Sequence, residues 1–176
     1  MSSAKWKNRI RKIKAGPELE QAAALPYRFE NGSLEILLLT TRNTRRFTLP
    51  KGWPMKRKSL AEAARVEALE ETGLEGILAP DIIGHFFYWK RLKSVFIPVK
   101  VSVFPLFVLK ELSCWQEQNE RFRKWLSPDE AQLLVDEPEL VSLIGLLDCS
   151  CDRTGSGWEI CARAKNANAV SGRRCR

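Results

Sequence analysis

The chain has 176 residues, and its content of 44% hydrophobic and 28% charged residues is typical of a single soluble globular domain. Its longest apolar stretch, residues 95–109, is interrupted by prolines and polar residues, so we expect no transmembrane segment. No N-terminal apolar run indicates a secretory signal, and the five cysteines, an odd number, are therefore expected to be reduced thiols.

The net charge of +8 is concentrated at the two ends of the chain. Residues 1–15 hold six basic residues and no acidic one, and residues 151–176 hold six basic residues against two acidic ones. That leaves −2 for residues 16–150. We therefore predict a nearly neutral domain at 16–150, a basic N-terminal arm at 1–15 and a basic, flexible C-terminal tail at 151–176. Such arms either stay solvated or bind an anionic partner such as RNA or a membrane surface.

The N-terminal arm has a further pattern. Trp6, Ile10 and Ile13 are spaced four and three residues apart, so a helix there would be amphipathic. An acid-free amphipathic N-terminus is also typical of an organelle transit peptide. Of the two locations, we expect the cytoplasm.

Alternating hydrophobic residues bounded by turn residues predict the strands and helices of the domain. In chain order these are strands at 21–29, 34–41 and 47–49, a helix at 60–72, strands at 82–89, 95–108 and 121–126, a helix opening at Ser127-Pro128, and a last helix at 136–147. This order predicts an α/β (α+β) sandwich, with a mixed β-sheet and helices on its faces.

The helix at 60–72 carries the most informative side chains. Ser59 and Glu62 form a capping box, in which each side chain accepts a hydrogen bond from a free backbone N–H, and this marks the start of the helix. Glu67, Glu70 and Glu71 fall within about 100° of arc and share one helix face. The pattern fits either a solvated acidic face or a site for Mg²⁺ or Mn²⁺, since no basic residue follows these glutamates by four positions.

This segment resembles the Nudix hydrolase signature, and the similarity extends over residues 21–147. The positions that match its spacing are Gly52, Glu67, Glu70, Glu71, Gly73 and Leu74. The stretch 49–54 is similar to the loop of bacterial members that resemble diphosphoinositol polyphosphate phosphohydrolases. The resemblance implies a Nudix-type α/β/α sandwich.

The same resemblance implies a hydrolase that cleaves the phosphoanhydride bond of a diphosphate. Mg²⁺ or Mn²⁺ would be bound by Glu67 and Glu71, with Glu70 assisting and a backbone carbonyl at Lys51 or Gly52 as a further ligand. A highly phosphorylated small molecule, such as an inositol pyrophosphate or a dinucleoside polyphosphate, is the expected substrate, and no obligate protein partner is indicated.

Two further groups of residues are candidates for the site. Basic residues crowd the chain before the helix and the hairpin after Trp89, where they either bind substrate phosphates or are solvated. They are Arg42, Arg45, Arg46, Lys51, Lys56, Arg57 and Lys58 in the first group, and Lys90, Arg91 and Lys93 in the second. Glu117 and Glu120 are candidates for a general base, whereas His85 is expected to pack as a half-buried strand residue.

Two positions depart from the signature. Lys58 stands in place of its first glutamate, and Val66 stands in place of an arginine that in the family holds the adjacent glutamate by charge-assisted hydrogen bonds. Arg65 is turned about 100° away from that position. Two alternatives therefore stay open: an RNA 5′-end pyrophosphohydrolase that uses its basic arms, and a catalytically weak Nudix domain that only binds a nucleotide or polyphosphate.

Overall fold

The structure, a computed structural model, describes residues 19–92 and 95–152. The predicted N-terminal arm, Lys93 and most of the predicted C-terminal tail lie outside these residues. No helix among the described residues is long and apolar enough to cross a membrane.

The described residues form one eight-stranded mixed sheet. Its strands are β1 (Leu19–Glu30), β2 (Ser33–Thr40), β3 (Phe47–Thr48), β4 (Lys51–Gly52), β5 (Leu74–Leu78), β6 (Gly84–Leu92), β7 (Val95–Glu111) and β8 (Arg123–Leu126). The two long strands β1 and β7 run parallel. The other pairs are antiparallel, as in the hairpin that joins β1 to β2.

The helices lie on both faces of the sheet. They are α1 (Leu60–Thr72), α2 (Pro128–Leu134) and α3 (Pro138–Asp152). Buried residues of α1 pack in one core with Ala22 and Ala24 of β1, and buried residues of α2 and α3 pack in a second core with Ala23 and Leu25. This alternation along β1 separates the two layers and confirms the predicted mixed-sheet sandwich.

The short strand β4 places a glycine beneath α1. Ala22 of β1 pairs with Gly52, and Ala23 pairs with Lys51. Because successive strand residues face opposite sides, Gly52 shares the α1 side of the sheet with Ala22, and Lys51 points to the other side. A loop that looked irregular in the sequence is therefore anchored to the central strand.

Both ends of α1 are fixed by local hydrogen bonds. The Ser59 hydroxyl accepts a bond from the Glu62 N–H at 3.2 Å, and the Glu62 carboxylate accepts one from the Ser59 N–H at 2.7 Å. At the other end Gly73 is left-handed, with φ of 68°, and its N–H donates to the carbonyl of Leu69 at 2.9 Å. The predicted bounds of α1, residues 60–72, are confirmed.

Besides β4, which was predicted as a loop, and β6, which runs from Gly84 to Leu92 rather than over 82–89, the structure differs from the predicted elements at β5, β7, β8 and α3. A fifth strand, Leu74–Leu78, begins immediately after α1, and its bulge at Glu75/Gly76 breaks the alternation that would have revealed it. Pairing with this strand extends β7 to Glu111. β8 begins at Arg123 rather than at Arg121, and α3 continues to Asp152, into the first residues of the predicted tail.

Candidate active site

The carboxylate of Glu67 lies directly against the backbone of Gly52. A Cβ atom added at Gly52 would lie 1.8 Å from Glu67 Oε1 and 2.0 Å from its Cδ. Only glycine leaves room for this approach, which brings the last turns of α1 onto β4. The spacing between the glycine and the glutamate in the sequence therefore corresponds to a direct contact.

Glu71 is the most enclosed of the three glutamates, with 6% of its surface exposed. Its Oε2 accepts a hydrogen bond from the Lys51 N–H at 3.1 Å, and its Oε1 accepts one from the guanidinium of Arg121. Burial raises the pKa of Glu71, and the positive charges of Arg121 and Lys51 act against that rise.

The expectation that these glutamates lack a counter-charge is therefore wrong for Glu71. The compensating residue, Arg121, lies fifty positions later in the chain, in a segment that closes over α1. Helical spacing reports only neighbours within one helix, so it could not reveal this pair.

Glu67 has no such partner. Burial, together with the neighbouring carboxylates Glu71, Glu70 and Glu117, raises the pKa of Glu67 to about 7, and the more distant charge of Arg121 acts against that rise. Among the described residues, no donor forms a hydrogen bond with its side chain. The site thus concentrates negative charge around Glu67.

The segment that follows β7 closes over the C-terminal end of α1. The Leu112 N–H donates to the carbonyl of Gly73 at 2.8 Å, and the Glu117 N–H donates to the carbonyl of Glu70 at 3.1 Å. Trp115 covers Gly73, where an added Cβ would lie 2.9 Å from its ring. These contacts carry Glu117 and Arg121 to the glutamates of α1.

The two candidate general bases differ in their environment. Glu117 is buried, and its carboxylate contacts both Arg42 and Arg121, the latter at 2.6 Å. Glu120 is exposed, and its Oε2 lies 2.7 Å from Arg42 Nε. Glu117 is therefore held in place, while Glu120 reaches solvent.

The donor set fits a hard divalent cation in its chemistry. It combines the carboxylates of Glu67, Glu70 and Glu71 with the nearby backbone of Gly52, all of which supply oxygen ligands. The accumulated negative charge around Glu67 is what such a cation would offset. Across residues 19–92 and 95–152, no three acidic, histidine or cysteine side chains are already gathered around a common metal position.

The predicted phosphate-binding arginines lie at ion pairs on the rim of this region. Arg42 pairs with Glu117 and Glu120, and Arg45 donates to the carbonyl of Glu120 at 3.1 Å. Arg46 instead pairs with Asp136 at 2.7 Å. All three side chains are largely exposed, so their role in substrate binding stays a prediction.

The predicted lysines are more scattered. The Lys51 ammonium lies on the opposite side of the sheet from Glu67 and donates to Thr48 Oγ1 at 2.8 Å, and burial lowers its pKa to about 8. Lys51 therefore contacts Glu71 directly through its backbone N–H only, while its ammonium charge acts on Glu71 at longer range. Lys90 lies 5.1 Å from the centre of the Trp53 ring, whereas Lys58 and Arg91 are exposed.

His85 behaves as the sequence predicts. It is half-buried on β6, and its Nδ1 lies 3.1 Å from Ser102 Oγ on the adjacent strand β7. It takes no part in the glutamate cluster. Cys114 is an exposed free thiol. The other four cysteines lie outside the residues whose side chains the structure describes, so the expectation of reduced cysteines stays a prediction.

Comparisons with known proteins report on the family and the fold of the chain. The NUDIX domain family model matches residues 19–144. The chain is 36% identical over 109 residues to Nudix hydrolase 13, mitochondrial, of Arabidopsis thaliana, covering 58% of this chain and 54% of that protein. It is 32% identical over 124 residues to Nudix hydrolase 16, mitochondrial, of the same plant, covering 62% and 68%. The match thus spans about half the length of the first of these relatives.

Solved structures share the fold at lower identity. The Ap4A hydrolase of C. elegans in a binary complex superposes with a TM-score of 0.58 and 23% identity, covering 74% of this chain and 96% of that chain. The NUDIX domain of Shewanella oneidensis NrtR complexed with ADP ribose gives a TM-score of 0.57 and 13% identity, covering 83% and 98%. Since the family model spans the sheet, α1 and the segment that closes over it, this chain belongs to the NUDIX family.

Proposed function

We propose that this protein is a metal-dependent hydrolase that cleaves a phosphoanhydride bond in a highly phosphorylated small molecule. The observation that carries the proposal is the contact between Glu67 and Gly52, beside a Glu71 that is held from two sides. A solvated acidic face, the other interpretation of the glutamate spacing, would require neither the contact nor the burial of Glu71.

Each residue of the site has a definable task. Glu67, Glu70 and Glu71, with the backbone at Gly52, would hold Mg²⁺ or Mn²⁺, which when bound neutralises a diphosphate and makes a coordinated water more acidic. Water then adds to one phosphorus, and the bridging oxygen leaves with the other phosphoryl group. Glu120 is the better candidate to accept the proton, because both oxygens of Glu117 already bind arginines.

The charges at the rim of the site favour a substrate with several phosphates. Arg42 and Arg45 contact the segment that carries Glu117 and Glu120, and Arg46 pairs with Asp136. The exposed ion pairs Arg42–Glu120 and Arg46–Asp136 can open at small energetic cost. The exposed Lys56, Arg57 and Lys58 precede α1. We infer a nucleoside polyphosphate as the first substrate class to test, because nucleotides occur in the names of two proteins that share the fold. Inositol pyrophosphates are the second.

Replacing single glutamates tests this proposal. Glu67→Gln and Glu71→Gln should each lower the turnover of a diphosphate substrate by about 100-fold or more, because each removes a charged oxygen ligand. Both variants should also lose the rise in melting temperature that Mg²⁺ or Mn²⁺ produces. Glu75→Gln is the matched control. Within the described part of the chain, this exposed glutamate on β5 forms an ion pair only with Lys110, at 3.7 Å, and its loss should change neither quantity. Turnover near the wild-type rate in both site variants would contradict the proposal.

A further inference from the structure

We propose that Arg121 is a positioning residue of this site and holds Glu71 from outside α1, a helix in which Val66 replaces the signature arginine that would hold the adjacent Glu67. The inference rests on the proposed function. In this proposal, a residue of the 112–122 segment orients a carboxylate on α1.

The guanidinium of Arg121 joins three separate parts of the chain. Its Nη2 donates to Glu71 Oε1 on α1, and its Nε donates to Glu117 Oε2 at 2.6 Å. Its Nη1 lies 3.3 Å from the carbonyl oxygen of Thr40 at the end of β2. The rigid planar fork of an arginine suits this arrangement, since its donors point in fixed directions that the single ammonium of a lysine cannot reproduce.

Burial makes these contacts strong. The side chains of Arg121, Glu71 and Glu117 are 12%, 7% and 10% exposed, so water screens their interaction far less than that of a surface pair. Without Arg121, Glu117 would keep only Arg42 as an ion-pair partner, and Glu71 would keep only the Lys51 N–H. We therefore expect the arginine to fix both carboxylates whenever the site is folded.

No residue of α1 can do the same. Val66 has no polar group, and Arg65 is exposed and turned away by one helical step. The Lys51 N–H contacts Glu71 from the β4 side only. Arg121 supplies the opposing contact, so the carboxylate is held between a backbone donor and a guanidinium.

This arrangement leaves Glu71 able to bind a cation. Each carboxylate oxygen can accept about two hydrogen bonds, and each of the two oxygens here accepts one in the contacts described. Arg121 thus orients the Glu71 carboxylate and leaves lone pairs on both of its oxygens for a cation. The opposite hypothesis is that Arg121 competes with the metal for Glu71, and it predicts a shift in affinity of the opposite sign.

A measurement of metal affinity that does not depend on catalysis distinguishes these two hypotheses. The concentration of Mn²⁺ that gives half of the maximal rise in melting temperature should increase about 10–100-fold in Arg121→Met, the usual effect of losing a residue that orients a ligand. Arg121→Lys should fall between Met and wild type, because it keeps the charge but loses the fork. Arg28→Met is the matched control: Arg28 also joins two carboxylates, Glu35 at 2.8 Å and Glu111 at 2.7 Å, but has no part in this site.

Two further measurements keep the result interpretable. If Arg121→Met does not fold, Arg121→Met/Glu117→Met also removes one of the two carboxylates that lose the guanidinium, and the same increase in the Mn²⁺ requirement is expected in it. An unchanged or lower Mn²⁺ requirement in the folded Arg121 variants would overturn the inference. If Glu71→Gln itself changes neither metal binding nor hydrolysis, the proposed function fails as well. If Glu71→Gln does change them and the Arg121 variants do not, only the inference fails.

Discussion

At Gly52 the space that a side chain would fill is already occupied by the carboxylate of Glu67. The glycine is therefore required by its neighbour, because its φ is not among the positive values seen at Gly32, Gly73 and Gly84. Glu67 is only half-buried, so part of its carboxylate remains open to solvent beside this contact. At the scale of single residues, the site depends on this close approach.

Gly52→Ala should separate folding from metal binding. The new methyl group would force Glu67 to rotate away, which a flexible side chain can do, so the free energy of unfolding without metal should change by only about 1 kcal/mol. The rise in melting temperature with Mn²⁺ and the hydrolytic rate should both be lost. Gly145→Ala serves as control, since an added Cβ there has only ordinary contacts of 3.8 Å or more and alanine favours the helix. An alanine at position 52 that leaves metal binding intact would show that the contact is incidental.

Helix α1 is anchored differently at its two ends. The capping box at Ser59 satisfies the helix itself, whereas Gly73 connects the helix to the segment that carries Glu117 and Arg121. Trp115 packs on Gly73, and Arg123 lies with its guanidinium carbon 4.0 Å from the centre of the Trp115 ring. The C-terminal end of α1 is therefore part of the site, and the N-terminal end contributes stability.

Substitutions at the two ends should differ accordingly. Ser59→Ala should lower the free energy of unfolding by about 1 kcal/mol and leave the metal requirement unchanged. Gly73→Ala should cost more than about 1 kcal/mol, because alanine is strained at this left-handed position and its Cβ would press on Trp115. It should also raise the Mn²⁺ midpoint by displacing Glu117 and Arg121. Denaturant unfolding and metal titration of both variants measure the two effects, and equal metal midpoints would refute the division of roles.

At the scale of the whole molecule, features set by local sequence were the most predictable. The bounds of α1 follow from Ser59, Glu62 and Gly73, which act within a few residues of the backbone they satisfy. The mixed sandwich follows from the order of elements. Strand β5 was not predictable, because Gly76 and the bulge at Glu75/Gly76 interrupt a stretch of only five residues.

The parts of the site that depend on tertiary contacts were not predictable. Glu67, Glu70, Glu71 and Gly52 could be proposed from their spacing, but the pairing of Glu71 with Arg121 joins segments fifty residues apart. Similarly, the alternation of β4 turns the Lys51 side chain away from the glutamates, although its position beside Gly52 suggested a phosphate ligand. The predicted arm at 1–15 and residues 153–176 of the predicted tail at 151–176 lie outside the described residues, so an RNA substrate stays a prediction.

Product analysis over a panel of diphosphates tests the central claim most directly. The full chain would be incubated with dinucleoside polyphosphates, inositol pyrophosphates and 5′-triphosphorylated RNA, in Mg²⁺ or in excess chelator, and the products would be separated by ion-exchange chromatography. We expect Mg²⁺-dependent cleavage of at least one small substrate at a phosphoanhydride bond, abolished by the chelator and by Glu71→Gln. The contradictory result is a protein whose melting temperature rises with Mg²⁺ but which cleaves no member of the panel. That result would favour a Nudix domain that only binds its ligand.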